Sequence, residues 1–356
     1  MNLLPIVETN NKPFIIAGPC SAESEEQVFS IAKELHKYQQ VNIFRCGVWK
    51  PRSSPNTFEG LGEKALPWLR QIQKDYHFDV CIEIGTPQHL EIAMKYDIRY
   101  FWIGARTTVN PFLVQEIAQA SKGCKDIVVM IKNPVMADLK LWYGNFERFY
   151  NMGINRLAAI FRGFSSQYAY PYRNEPAWLH LFEFMRLYQQ IPIVFDPSHI
   201  AGQSFLVEDL IEKAVYLNVS GLMIEVHQQP QAALSDKQQQ LDFVQFNNLI
   251  KKISSLQLNN DTTTQALLPY RLSIDEIDKE LISLLAKRNG IVEEIARYKK
   301  KEHIPILQMD RWQRILQEAH NNAVQQHVTP ELVEQILHLI HEDSVKRQQQ
   351  IIVRSE

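Results

Sequence analysis

The sequence is poor in cysteine, in net charge and in long apolar runs, and each shortage excludes a class of protein. The four cysteines among 356 residues form no Cys-x-x-Cys pair, which argues against a disulfide scaffold or a structural zinc knuckle. The formal charge of −2 and the lack of a basic block at either end argue against nucleic-acid binding. No apolar run reaches the roughly 18 residues that span a bilayer, and residues 1–20 do not resemble a secretory signal. We therefore expect a cytoplasmic protein without a membrane partner.

Short apolar or β-branched runs alternate with segments of helical spacing through most of the chain. There are eight such runs, at residues 13–17, 41–45, 79–84, 98–103, 127–131, 156–161, 191–196 and 221–226. Eight strands alternating with helices over about 250 residues match the count and size of a closed (β/α)₈ barrel. The alternative is a doubly wound open sheet, which would usually carry a Gly-rich dinucleotide turn after its first strand; GPCS at 18–21 is not one. The sequence predicts an α/β TIM barrel over residues 1–253.

The rest of the chain has a different pattern. Residues 254–269 (SSLQLNNDTTTQALLP) lose their periodicity and become polar, which is typical of an interdomain linker. Over residues 270–356 no strand pattern appears, and helical segments near 309–326 and 330–352 follow one long helical stripe. The stripe consists of Ile274, Ile277, Leu281, Leu284, Ile291, Ile295 and Tyr298. Three helices make a thin core, so we predict a small all-α domain that pairs with a second copy in a homodimer.

Charged residues follow the predicted strands at the end where a barrel carries its catalytic groups. The basic ones are Arg45, Lys50, Arg52, Arg106, Lys132 and Arg162, and the third run carries Glu83. So much positive charge around one mouth of a nearly neutral protein predicts a multiply charged anion as ligand. Arginine matches phosphate and carboxylate oxygens in pairs and lysine acts as a point charge, which suits a phosphorylated carboxylic acid and a second phosphate. The alternative is that these are solvated loop charges, as most Arg and Lys side chains are.

A second group of side chains has the chemistry of metal ligands. Cys20, His199, Glu225 and Asp236 follow the first, seventh and eighth runs, which are adjacent in a closed barrel. Mixed sulfur, nitrogen and oxygen ligands suit Mn²⁺, Fe²⁺, Co²⁺ or Zn²⁺ and disfavour Mg²⁺ and Ca²⁺, and Mn²⁺ is our first expectation. A buried cysteine such as Cys20 is more often a small core residue than a metal ligand, so the assignment of these four residues to one site depends on the barrel topology.

Several strings at these positions resemble the type I-beta branch of DAHP synthase (3-deoxy-7-phosphoheptulonate synthase), over most of residues 13–250. They are GPCS (18–21), KPRSSPNTFEG (50–60), IGAR (103–106), DPSH (196–199), GLMIEVH (221–227) and LSD (234–236). The resemblance implies phosphoenolpyruvate held by Arg45, Lys50, Arg106, Lys132 and Arg162. It also implies erythrose 4-phosphate held by Lys50, Pro51, Arg52 and Ser53, and a divalent metal at Cys20, His199, Glu225 and Asp236.

A sibling family shares much of this pattern but uses another sugar. The synthase that acts on arabinose 5-phosphate typically has KANRSS where this chain has Lys50-Pro51-Arg52-Ser53. The proline therefore favours the four-carbon sugar. Condensation with arabinose 5-phosphate remains the alternative for the barrel.

The helical tail carries basic residues on its apolar stripe. Arg288 and Lys299 lie at helical spacing from Leu284 and Ile295, where an unpaired cation is costly unless it reaches solvent or meets an anion. Residues 271–350 resemble the all-helical chorismate mutase that dimerises by exchanging its long helix. The resemblance implies a chorismate site at Arg271, Arg288, Lys299, Arg311, Ser344 and Gln348, in which Arg288, Lys299 and Gln348 stabilise the rearranging substrate.

The sequence is compatible with two functions of the helical tail. In one, the chain is bifunctional and both domains are catalytic. In the other, the tail binds prephenate or chorismate as a sensor and dimerisation module, and prephenate inhibits the barrel. Gln308 and Trp312 stand where the mutase family can carry an acidic pair, which puts the positioning of the substrate hydroxyl in doubt.

Overall fold

The computed structural model describes residues 1–7, 13–51, 56–124, 126–165, 171–255 and 263–353. The chain divides into two compact units, Met1–Leu258 and Asn259–Glu356. The predicted linker at 254–269 overlaps helical residues at both of its ends, and its residues 256–262 lie outside the described part.

The first unit is a closed barrel of eight parallel strands in sequence order, with β1 paired to β8, which confirms the predicted fold. All eight apolar runs form strands because each is buried against both the barrel interior and the surrounding helices. The strands are β1 (Phe14–Gly18), β2 (Val41–Arg45), β3 (Asp79–Ile84), β4 (Tyr100–Ile103), β5 (Val128–Lys132), β6 (Leu157–Phe161), β7 (Ile193–Phe195) and β8 (Gly221–Glu225).

Ten helices accompany the strands in the described part of this unit. They are α1 (Glu25–Leu35), α2 (Leu66–Tyr76), α3 (Pro87–Lys95), α4 (Ala105–Thr108), α5 (Pro111–Ala120), α6 (Leu139–Asn151), α7 (Trp178–Leu187), α8 (Pro197–Ala201), α9 (Val207–Tyr216) and α10 (Phe243–Ser255). Several begin at a side chain that accepts a hydrogen bond from a backbone N–H three residues later, which favours a sharp helix start. These capping residues are Ser24, Thr86, Asn110, Asp138 and Asp196.

The core of the barrel unit has two layers, one inside the barrel and one between strands and helices. Successive side chains of a strand alternate between them. In β4, Trp102 belongs to the inner layer, whereas Phe101 and Ile103 belong to the outer one. Since side chains fill the barrel, a ligand has room at the C-terminal ends of the strands.

The second unit consists of α11 (Thr263–Lys301), α12 (Met309–Gln325) and α13 (Pro330–Val353). It confirms the predicted all-helical region, although α11 is longer than its apolar stripe. Both α11 and α12 pack against α13. Among the α11 side chains that the structure describes, Val292, Ala296 and Lys299 are buried, and the predicted stripe is exposed along its whole length. Among the described residues, none of the helices combines the length and apolar character needed to cross a membrane.

Candidate active sites of the two units

Side chains at the C-terminal ends of the strands enclose a cavity of about 270 Å³. It brings together most of the predicted barrel site. The lining includes Lys50, Pro51, Glu83, Arg106, Lys132, Arg162, His199 and Asp236. Of the other predicted residues, Arg45, Cys20 and Glu225 are buried and contact this group, whereas Arg52 and Ser53 lie outside the described residues.

Two of the cations are buried inside the barrel against the ring of Trp102. The Arg45 guanidinium carbon lies 4.9 Å from the ring centroid and the Lys132 ammonium 5.8 Å from it, which are cation–π distances. Arg45 Nη2 lies 3.1 Å from Glu225 Oε1, but its Nε and Nη1 atoms have no hydrogen-bond partner among the described residues. Because buried donors without partners are costly, these N–H groups are suited to receive an anion.

The remaining arginines extend the positive field to the cavity rim. Burial, and then the charges of Arg173 and Arg106, lower the pKa of Arg162 to about 10, although the carboxylate of Asp196 opposes them. Arg106 is exposed, and its Nη1 donates to the carbonyl oxygen of Pro51 at 3.3 Å. An anion among these arginines would relieve their mutual repulsion.

Asp196 organises both a cation and an imidazole. Its Oδ1 accepts from the backbone N of His199 at 3.1 Å and lies 3.0 Å from Nδ1 of the same histidine, and its Oδ2 accepts from Lys132 Nζ at 3.0 Å. Burial alone would raise the pKa of Asp196, but His199 and Lys132 outweigh it and hold the pKa well below its usual range. Burial lowers the pKa of His199. A neutral His199 that donates through Nδ1 leaves Nε2 free as a ligand atom.

The four predicted metal donors lie in two close pairs. Cys20 Sγ is 3.3 Å from Asp236 Oδ2, and His199 Nε2 is 3.8 Å from Glu225 Oε1. The ammonium of Lys50 lies 2.6 Å from Cys20 Sγ and 3.9 Å from Asp236 Oδ2. As they stand, no three His, Cys, Asp or Glu side chains in the described part of the chain form a group that could hold a metal ion.

In donor chemistry, however, the residues fit a transition metal. Glu225 Oε1 is buried and accepts no hydrogen bond in the described structure, and His199 presents its free Nε2 toward it. Burial, and then the charge of Glu225, raise the pKa of Cys20 to about 12. Lys50 opposes this shift in pKa, and a metal would take Cys20 as the thiolate that such a cation stabilises.

Glu83 reaches the cavity from β3 past a glycine. A Cβ atom on Gly104 would overlap Glu83 Oε1, so the glycine leaves room for the carboxylate. Sequence reasoning assigned no function to several residues that touch the site, namely Trp102, Asp196, Arg173 and Gln239. The signal for Asp196 was its position three residues before His199, where it caps α8 and reaches the imidazole.

In the helical unit, four of the predicted residues gather between α11 and α13. Arg288 Nη1 donates to Ser344 Oγ at 2.6 Å, and Lys299 Nζ donates to the carbonyl of Ile306 at 2.7 Å. Gln348 is buried, and its Oε1 has no hydrogen-bond partner among the described residues. The two cations, Arg288 and Lys299, suit an anionic ligand, whereas the Gln348 oxygen would need a donor from that ligand.

The other two predicted residues of this unit, Arg271 and Arg311, are exposed. Arg271 precedes Arg288 by 17 positions on α11. At 1.5 Å per residue they lie about 25 Å apart along the helix. One compact ligand therefore cannot contact both arginines in a single chain.

Trp312 meets two histidines of α13. His341 stacks on its ring with centroids 4.1 Å apart, and His338 meets it edge-on at 5.2 Å. His341 lies three residues before Ser344, on the same helix face. Burial, and then the charges of Arg288, His338 and Lys299, lower the pKa of His341.

Comparison with known proteins covers both units. A model of the DAHP synthetase I family matches residues 5–259, and a model of chorismate mutase type II matches residues 270–349. Together the two matches span nearly the whole chain.

Individual relatives match the barrel. A phospho-2-dehydro-3-deoxyheptonate aldolase of Thermotoga maritima is 33% identical over 243 residues, which cover 68% of this chain and 69% of that protein. A 2-dehydro-3-deoxyphosphooctonate aldolase of Francisella philomiragia is 27% identical over 249 residues, covering 64% of this chain and 85% of that protein. The crystal structure of a DAHP synthase from Thermotoga maritima matches with a TM-score of 0.62 at 31% identity, covering 69% of each chain.

Proposed function

Since the chain belongs to the DAHP synthetase I family, we propose that its barrel condenses phosphoenolpyruvate with erythrose 4-phosphate. The products are 3-deoxy-D-arabino-heptulosonate 7-phosphate and inorganic phosphate. The two family matches make the chain a bifunctional shikimate-pathway enzyme with a DAHP synthase domain and a chorismate mutase domain. Its substrates are therefore small molecules, and a place in the cytoplasm stays a prediction.

The observation that supports the proposal best is the convergence of cations on one cavity beside the metal donors. Lys50, Arg106, Lys132 and Arg162 line the same cavity as His199 and Asp236. A phosphorylated carboxylate and a sugar phosphate both need such cations, and a sugar aldehyde needs an electrophilic group beside them.

The roles follow from the depth of each residue. Arg45 and Lys132, buried on Trp102, would bind the carboxylate end of phosphoenolpyruvate. Arg106 and Arg162 would hold its phosphate, while Lys50, Pro51, Arg52 and Ser53 would hold the sugar phosphate. Binding both substrates side by side turns an encounter into an oriented step in which a carbon–carbon bond forms. Water then adds at C2 and phosphate leaves.

The proposed metal site consists of Cys20, His199, Glu225 and Asp236. The family generally uses divalent metals, and the mixed donor set suits Mn²⁺, Fe²⁺, Co²⁺ or Zn²⁺, of which Mn²⁺ is our first expectation. A bound metal would polarise the sugar aldehyde. Asp196 supports the site because it holds His199 by the ring nitrogen that faces away from Glu225.

A second sugar remains a candidate for the barrel. The 27% identity to 2-dehydro-3-deoxyphosphooctonate aldolases favours arabinose 5-phosphate, whereas Pro51 favours erythrose 4-phosphate. Incubation of the chain with phosphoenolpyruvate and each sugar, followed by mass spectrometry, decides between them. We expect a seven-carbon product with erythrose 4-phosphate and no eight-carbon product with arabinose 5-phosphate; the reverse would assign the barrel to the sibling reaction.

In the helical unit we propose that Arg288, Lys299 and Gln348 hold chorismate while it rearranges to prephenate. The reaction needs a compact substrate conformer and stabilisation of charge at the ether oxygen, which two cations and an amide supply. Arg271 would come from a second copy, because it lies about 25 Å along α11 from Arg288. The exposed stripe of α11 supports the same homodimer, since apolar surface of this length favours burial against a partner.

Regulation of the barrel by the tail is the alternative role for the same groove, and prephenate is the expected inhibitor. Chorismate consumption by the unsubstituted chain and by Arg288→Ala tests the two readings, together with prephenate inhibition of the barrel. Turnover that is lost in the variant supports catalysis. Intact prephenate inhibition without any chorismate turnover in the unsubstituted chain would leave the tail as a sensor.

A further inference from the structure

Two of the proposed metal donors, Glu225 and Asp236, are connected by a series of hydrogen bonds through two further residues. Gln239 Nε2 donates to Glu225 Oε2 at 2.7 Å. Arg173 Nη1 donates to Gln239 Oε1 at 2.8 Å and to Asp236 Oδ1 at 3.2 Å. These hydrogen bonds therefore connect the end of β8 with the loop that follows it.

Each carboxylate on this hydrogen-bonded path uses its two oxygens differently. In Glu225, Oε2 accepts from the Gln239 amide, and Oε1 lies 3.1 Å from Arg45 Nη2 and 3.8 Å from His199 Nε2. In Asp236, Oδ1 accepts from Arg173, and Oδ2 lies 3.3 Å from Cys20 Sγ and 3.9 Å from Lys50 Nζ. One oxygen of each carboxylate thus contacts Gln239 or Arg173, and the other lies beside another proposed metal donor.

A glutamine suits position 239 for a chemical reason. Its amide donates to a carboxylate at one end and accepts from a guanidinium at the other, which neither leucine nor glutamate can do. Gln239 is 1% exposed, so a leucine there would leave buried Glu225 Oε2 without its donor. The amide also leaves the charge of the donor set unchanged.

The neighbouring backbone holds Arg173 and Asp236 in place. The Arg173 N–H donates to the carbonyl of Ala201 at 3.1 Å, and Asn174 Nδ2 donates to the carbonyl of His199 at 2.6 Å. Asp236 has a left-handed backbone (φ 43°), which is unusual for a residue with a side chain and needs support from its surroundings. Arg173 is thus anchored on the segment that carries His199 and supports the strained residue.

We propose that Gln239 and Arg173 are positioning residues that aim Glu225 Oε1 and Asp236 Oδ2 at the metal. The proposal rests on the proposed metal site. Hydrogen-bond partners behind metal ligands typically change metal affinity about 10–100-fold when they are removed. We expect a loss of that size from either residue.

The test is the Mn²⁺ affinity of the full chain, measured from the electron paramagnetic resonance signal of free Mn²⁺. Gln239→Leu should bind about 10–100-fold more weakly than the unsubstituted chain. Gln238→Leu is the matched control, because Gln238 is exposed and its side-chain oxygen accepts a hydrogen bond from Gln203. It should bind Mn²⁺ as the unsubstituted chain does.

A second variant covers the case in which Gln239→Leu fails to fold. Arg173→Gln changes a side chain that is 44% exposed, so it removes both hydrogen bonds without opening the core. It too should weaken Mn²⁺ binding about 10-fold or more. The proposal is overturned if the folded variants bind Mn²⁺ with unchanged affinity. If the unsubstituted chain binds no Mn²⁺, the metal site itself is wrong, which is a distinct result.

Discussion

Arg271 and Arg288 lie on one helix, 17 positions and about 25 Å apart. A shared chorismate site must therefore combine Arg271 of one copy with Arg288 of another. In a mixture of Arg271→Ala and Arg288→Ala chains, each heterodimer has one site in which both arginines are intact and one in which both are lost. Random exchange then restores about a quarter of the unsubstituted turnover, because half of the dimers are mixed and one site in two is whole.

The measurement is chorismate consumption by each variant alone and by the refolded mixture at equal total concentration. Each variant alone should be nearly inactive. A mixture no more active than its components would contradict a site built from two copies. A mixture of Arg288→Ala with Lys299→Ala is the matched control, since both residues belong to the same groove of one chain and no intact site can form.

Asp196→Asn should weaken both halves of the barrel site. The amide loses the charge that holds Lys132 and no longer orients His199 as a carboxylate does. We expect metal affinity to fall about 10–100-fold and the KM for phosphoenolpyruvate to rise. Asp209→Asn is the control, because Asp209 pairs with Lys213 at the surface. Equal kinetics in the two variants would remove Asp196 from the site.

Gly104→Ala should disturb the barrel site more than it lowers the free energy of unfolding. The new methyl group would overlap Glu83 Oε1 and push that carboxylate out of its position in the cavity. Gly144→Ala is the matched control, since nothing lies within 4 Å of its added Cβ and it is inside α6. Alanine there should stabilise the chain by about 0.4–1 kcal/mol. Denaturation and the KM for phosphoenolpyruvate separate the two effects, and an unchanged KM in Gly104→Ala would contradict a role of Glu83 in binding this substrate.

Binding of a dianion in the helical unit should take up protons through His341. Burial, and then Arg288, His338 and Lys299 in that order, lower the pKa of this histidine, and Trp312 on α12 adds no charge. Prephenate brings negative charge and raises the pKa again, so affinity should increase as the pH falls through the window between the two values. Calorimetry in buffers of different ionisation enthalpy measures the uptake. His341→Asn should abolish it, and equal uptake in that variant would assign the proton elsewhere.

The barrel strands were predictable because strands buried on both sides leave apolar runs. The bounds differ where local chemistry intervenes. The seventh run was predicted at 191–196, but β7 is Ile193–Phe195, since Pro192 has no N–H to pair and Asp196 caps α8. The fourth run was predicted at 98–103, but β4 begins at Tyr100, three residues after Asp97, which has a left-handed backbone.

Pairs of residues distant in sequence were not predictable in the same way. Lys132 and Asp196 are 64 positions apart, and Gln239 reaches Glu225 only through the path of the last loop. The helical unit presents another limit, because α11 carries apolar residues on two faces. The pattern alone does not tell that Val292 and Ala296 are buried while the side chains of the longer stripe are exposed.

We propose a metal-dependent condensation at the barrel mouth, which is measured as phosphate release from phosphoenolpyruvate in the presence of erythrose 4-phosphate. The rate should be lost in EDTA, return with Mn²⁺, and stay low in His199→Ala under either condition. A rate that is unaffected by EDTA and by His199→Ala would contradict the account.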